Sequence, residues 1–179
     1  NNEYMAEDQR FAAIRPDVVV FETDELREDV TLSGKIIADL FVSTTGTDAD
    51  FIVKLIDVLP ANEPNIKNAP KGFQMAGSQQ LVRAEVIRGK FRNSFEKPEP
   101  FVPNQIAEVK FGLNDVAHNF KKGHKIMVQV QSSWFPLVDM NPQKFMRIPE
   151  ATEKDFQKAT IKIYHDEDHP SKVILPVKK

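Results

Sequence analysis

The chain has no cysteine in its 179 residues. That excludes a disulfide framework, a thiolate metal site and a cysteine nucleophile. Glycine is scarce, at seven residues, and none of them sits in a loop built to hold a nucleotide or a nucleophile. A phosphate loop requires G-x-x-x-x-G-K-[ST], a dinucleotide turn G-x-G-x-x-G and a serine elbow G-x-S-x-G. All three are missing. No apolar run approaches the ~18 residues of a membrane span. Net charge is −2, which supplies no field for holding nucleic acid or an anionic membrane. The amino terminus shows neither an initiator Met nor an apolar signal-peptide core. Residues 1–14 therefore read as a connection from an upstream domain, and residues 15–179 as one domain.

What is present is globular. Apolar residues make up 41% and charged residues 28%, enough to bury about 70% of the unfolded surface in a single core. Most segments alternate with period two. In "KIMVQVQ", Ile126, Val128 and Val130 share one face, and in "EVKFGL", Val109, Phe111 and Leu113 do. Similar patterns run through "DVVVFET", "KIIADLFVSTT", "DFIVKLIDVLP", "QLVRAEVI", "ATIKIYH" and "KVILPV", with "TLSG" read as a turn. Eight or so strands with one buried face and turns between them predict an all-β, two-sheet sandwich. Helical signal is confined to 149–159, with Thr152 as N-cap and Asp155 three residues on, and to a single turn over 114–120.

Chemistry-bearing residues are few. His165 and His169 in "HDEDHP" have the spacing of two zinc ligands on a helix, but the proline after them favours a polar turn. Asp48 and Asp50 beside Gly46 form an oxygen-rich turn that suits calcium or caps its own amides. His118 and His124 are badly spaced for one helix face, so a structural role is expected for both. Two segments stand apart. Residues 88–103 combine four cations, three phenylalanines and three prolines; residues 132–142 carry the single Trp, a Phe and two prolines. Proline-fixed loops with aromatic side chains make contact surfaces at small entropy cost.

Four blocks in order, "TDADFIVKLIDVLP", "RGKFRNSFEKPEPFVP", "VAHNFKKGHKIMVQVQSSWFPLVDMNPQ" and "HPSKVILPV", resemble the C-terminal domain of the X-Pro dipeptidyl-peptidase and cocaine esterase superfamily. Within it they are most similar to the α-amino acid ester hydrolases and glutaryl 7-aminocephalosporanic acid acylases. The resemblance implies a jelly roll of galactose-binding-domain type. It implies as partners an α/β-hydrolase domain, which carries a Ser-Asp-His triad, and a helical cap, both on the same polypeptide. The jelly roll then holds no catalytic residue and no cofactor, packs on those domains and helps wall their substrate pocket. The expected docking residues are Arg88, Phe91, Arg92, Asn93, Phe95 and Phe101, with Trp134, Phe135, Asp139 and Asn141 from the second segment. Left exposed, that face is expected to self-associate into a homo-oligomer through the Phe91–Phe101 region. The resemblance also implies a periplasmic or secreted bacterial setting. Two other readings stay open: a free-standing carbohydrate-binding module with Trp134 and Phe135 as stacking platform, and a metalloenzyme using His165 and His169.

Overall fold

The structure is a computed structural model and describes residues 8–69 and 72–178. Ten strands dominate it: β1 (Val18–Glu22), β2 (Val30–Gly34), β3 (Ile37–Thr44), β4 (Asp50–Val58), β5 (Gln79–Arg88), β6 (Ala107–Gly112), β7 (Val116–Phe120), β8 (Lys125–Gln131), β9 (Ile161–Tyr164) and β10 (Lys172–Ile174). One short helix, α1 (Arg10–Ala13), and three 3₁₀ turns complete the described elements. The first sheet runs β1-β8-β4-β5. The second runs β10-β3-β6, with β9 pairing the same edge of β3 beyond β10. A ribbon of β2 and β7 stands beside them, and every pairing is antiparallel. The all-β sandwich expected from the alternation is the fold observed.

The core forms where inward residues of the sheets meet. Phe51, Val53 and Leu55 of β4 face Ala38, Leu40 and Val42 of β3, joined by Val109, Phe120 and Val130. The two alternating runs behave as read. Val130 lies in the core with Ile126 and Val128 packed against it, and Val109 and Leu113 lie there with Phe111 against them. β4 departs from simple alternation, since eight of its nine residues are buried. Its outer face, with Ile52, Lys54 and Ile56, is covered by the amino-terminal segment and by Trp134. Gln9 and Ala12 are buried there, and the Gln9 N–H donates to the Gln79 carbonyl at 2.9 Å. Residues 8–13, expected as a connection, thus pack on the sheet.

Three local expectations are corrected. The stretch 114–120 is no helical turn but strand β7, because Val116 and Phe120 bury into the core while the backbone pairs with β2. "TLSG" is the body of β2 rather than a turn, and Leu32 within it is fully buried. The helix expected over 149–159 shrinks to 3₁₀ turns at Ile148–Glu150 and Glu153–Asp155. Its start signal is real: the Asp155 carboxylate accepts from the Thr152 N–H at 3.0 Å and from its hydroxyl at 2.9 Å. Tertiary bonds then end it, as the Gln157 N–H donates to the Pro142 carbonyl at 3.2 Å and its side chain to the Gln143 carbonyl at 2.9 Å.

Phe51 is 1% exposed and packs 6.1 Å from the Phe101 ring. Phe51→Ala is expected to cost about 3–5 kcal/mol of stability in urea unfolding. A loss under ~1 kcal/mol would place the core elsewhere.

Candidate functional site

The segment 88–103 begins where β5 ends. The Gly89 N–H donates to the Ala49 carbonyl at 2.7 Å, and a Cβ at this position would meet the Phe101 ring at 2.4 Å, so only glycine fits. The chain turns through a 3₁₀ turn, Gly89–Phe91, and folds back on Arg92. The Arg92 guanidinium donates to the carbonyls of Gly89 (3.1 Å), Glu99 (2.9 Å) and Pro100 (3.0 Å) and lies 4.3 Å over the Phe101 ring. Asn93 donates to the Glu99 carboxylate at 2.8 Å. The Phe101 N–H donates to the Thr47 carbonyl at 2.9 Å, and its side chain fills the core. Phe91 and Phe95 stack at 6.1 Å, and Phe95 is 81% exposed at the tip.

Beneath this loop lies a buried ion network. Asp48 Oδ1 accepts from the N–H groups of Ala49 (3.0 Å) and Lys90 (3.1 Å), and Lys90 Nζ stands 3.7 Å from Asp48 Oδ2. Lys90 Nζ also donates to the Met146 carbonyl at 2.7 Å. Asp50 Oδ1 accepts from Asn141 Nδ2 at 2.8 Å, and Arg88 Nη1 stands 3.7 Å from its Oδ2. Burial pushes the Asp50 carboxyl up to about 6, against the Asn141 bond and the Arg88 charge, with Asp48 adding to the rise. Burial also pushes Asp48 up. The charge of this acidic turn is thus balanced from within by Lys90 and Arg88.

A second buried cation sits on the outer face of β4. Lys54 Nζ donates to Gln9 Oε1 at 2.9 Å and lies 4.8 Å from the Trp134 ring and 5.8 Å from that of Phe11. Burial, with a smaller push from the Arg15 charge, lowers its ammonium to about 8. Trp134 is 8% exposed, so its ring packs over Lys54 and presents no stacking platform. Past it the loop carries exposed Phe135, Leu137, Asp139 and Met140.

The structure separates the ten expected docking residues by the direction they face. Arg88, Phe101, Trp134 and Asn141 turn inward and join the packing or the ion network. Arg92 is committed to carbonyls of its own loop, and Asn93 to Glu99. Phe95, Phe135 and Asp139 face outward, with Phe91 half-buried.

The histidines fall elsewhere. His118 Nε2 and His124 Nδ1 each meet one oxygen of buried Asp57 at 2.8 Å, which ties β7 and the β7–β8 turn to β4. That shared carboxylate escaped the spacing argument, because it comes from another strand. His169 bonds Asp166 at 3.0 Å within its turn, while His165 lies edge-on to Phe21 at 6.4 Å.

Residues 4–174 match the family described as the X-Pro dipeptidyl-peptidase C-terminal non-catalytic domain. The cocaine esterase of Rhodococcus sp. (strain MB1 Bresler) is 31% identical over 172 residues, covering 96% of this chain and 27% of that protein. Two solved structures superpose closely. An aminopeptidase from a marine sediment archaeon, Thaumarchaeota archaeon, gives a TM-score of 0.90 at 40% identity, covering 99% of this chain and 28% of that one. An α-amino acid ester hydrolase gives 0.89 at 42% identity, covering 97% and 28%. The chain thus spans under a third of the length of these relatives.

The raised Asp50 carboxyl carries a pH signature. Its folded form holds a proton more tightly than the ordinary carboxyl at 3.8. Its contribution to stability is therefore complete below the unfolded value and is lost as pH rises through about 6. The rise from 3.8 to about 6 corresponds to about 3 kcal/mol over that window. Urea unfolding is expected to show the wild type losing stability relative to Asp50→Asn as pH rises from about 4 to about 7. Parallel pH curves would show that Asp50 is not desolvated.

Proposed function

Because the chain belongs to the X-Pro dipeptidyl-peptidase C-terminal non-catalytic domain family, we propose that it is the jelly roll of a longer serine acyl hydrolase. There it packs on an α/β-hydrolase domain and cap and helps wall their substrate pocket. One observation carries this reading: residues 4–174 match a family described as non-catalytic, and the chain covers only 27–28% of the length of its relatives. The relatives, named as an esterase, an aminopeptidase and an ester hydrolase, support small esters and amides of α-amino acids as the substrate class.

The docking face in this reading is the outward set, Phe95 from one loop and Phe135, Leu137 and Met140 from the other, with Asn93 and Asp139 as polar neighbours. All four apolar side chains are at least 49% exposed. An interdomain contact of about 600–1,500 Å² needs such a patch. The inward set (Arg88, Phe101, Trp134 and Asn141) holds the two loops in shape from beneath.

In the full-length protein a fluorophosphonate ester is expected to modify a serine outside residues 1–179. Phe135→Asp is expected to lower both the thermal midpoint and the rate of ester hydrolysis. Modification of a serine within this chain, with loss of activity, would overturn the non-catalytic assignment.

A further inference from the structure

A cleft of about 490 Å³ opens at the end of the sandwich where β1 and β9 begin and β8 ends. Its walls are aliphatic, formed by Val19, Val130, Ile161 and Ile163. Its polar lining is unusual, because three of its oxygens are buried and accept no hydrogen bond from the described residues: Gln131 Oε1, Ser132 Oγ and Gln143 Oε1. The amide orientations are fixed by the other ends of the side chains. Gln131 Nε2 donates to the Ser133 carbonyl at 2.8 Å, and Gln143 Nε2 to that of Asn141 at 3.4 Å. Gln131 is 4% exposed. Buried acceptors without donors are costly, and native proteins rarely keep three together without a use.

The lining supplies no cation to these oxygens. It contains no lysine, arginine or histidine and one carboxylate, Asp17. Arg15 bonds that carboxylate from outside the cleft, through Nε at 2.9 Å and a second contact from Nη2, and holds Asp17 below the usual carboxylate range. Both Asp17 oxygens are thereby taken by Arg15, and the pair carries no net charge. A complementary group must bring several N–H donors and carry an apolar stem. A guanidinium or ammonium on a methylene chain meets all of these requirements, since such side chains lay their stems on apolar surface and donate from the tip.

We propose that this cleft is a socket for an arginine or lysine side chain of the companion domain, with its nitrogens on Gln131 Oε1, Ser132 Oγ and Gln143 Oε1 and its stem along Val19, Ile161 and Ile163. This rests on the multidomain reading above, and the chain's 27–28% share of its relatives' length is what makes the same polypeptide the source. The socket lies at the β1–β9 end and is formed by different residues from the outward aromatic set.

The test uses the full-length protein and two substitutions at one position. Ser132→Lys places a cation in the socket, whereas Ser132→Asp places an anion of smaller bulk. Ser132→Lys is expected to lower the thermal midpoint by at least about 3 °C more than Ser132→Asp. Equal midpoints for the two variants would overturn the socket while leaving the hydrolase reading intact. Absence of any upstream hydrolase domain would instead remove that reading. A crystal structure of the full-length protein decides directly. An arginine or lysine nitrogen from outside residues 1–179, within hydrogen-bond distance of these oxygens, is the expected result. Water alone, a neutral group, or a free small amine at the three oxygens would contradict it.

Discussion

The shape of the two long loops depends on two carboxylates that leave water together. Asp48 and Asp50 are 0% and 2% exposed, and a buried carboxylate is tolerated only when charges and donors compensate it. Compensation comes from two distant stretches of chain. Arg88 and Lys90 approach from the end of β5 and its turn, and Asn141 from the loop after β8. Such a network adds little net stability compared with apolar packing. What it adds is definition, because its parts fit in one arrangement. Lys90 then reaches the Met146 carbonyl, and Asn141 Oδ1 accepts from the Gln143 N–H, so the arrangement spreads into the loop beyond.

That interior explains why two proline-rich loops present rigid surfaces. Arg92 closes its loop on three carbonyls, and Phe101 anchors it in the core beside Phe51. Trp134 plays the same part in the second loop by covering Lys54. In each loop one aromatic is turned inward as an anchor and others are left outside, such as Phe95 and Phe135. Order in the loops is thus fixed by the chain's own contacts.

The sandwich itself was legible in the sequence because alternation reports a half-buried face directly. Ile126, Val128 and Val130 needed nothing else. β7 was missed because "NDVAHNF" is short and its pairing with β2 lies 80 or more residues away. The stretch 149–159 was overcalled as helix because its capping signal is local and correct, whereas Gln157 is drawn off by Pro142 and Gln143. Composition singles out the segments 88–103 and 132–142. Composition did not say which of their residues face inward. Arg88 and Arg92 resemble interface cations until the structure supplies Asp50 and the loop carbonyls. The family was legible from the order of four blocks, which is information that no single motif carries.

Amide hydrogen exchange on the Asp48→Ala variant measures this dependence most directly. The account predicts that protection falls sharply at the Gly89, Lys90 and Phe101 amides while the Val128 amide of β8 keeps its protection. Unchanged protection at Gly89 and Phe101 would show that the loop holds its shape without the buried carboxylate, contrary to the account.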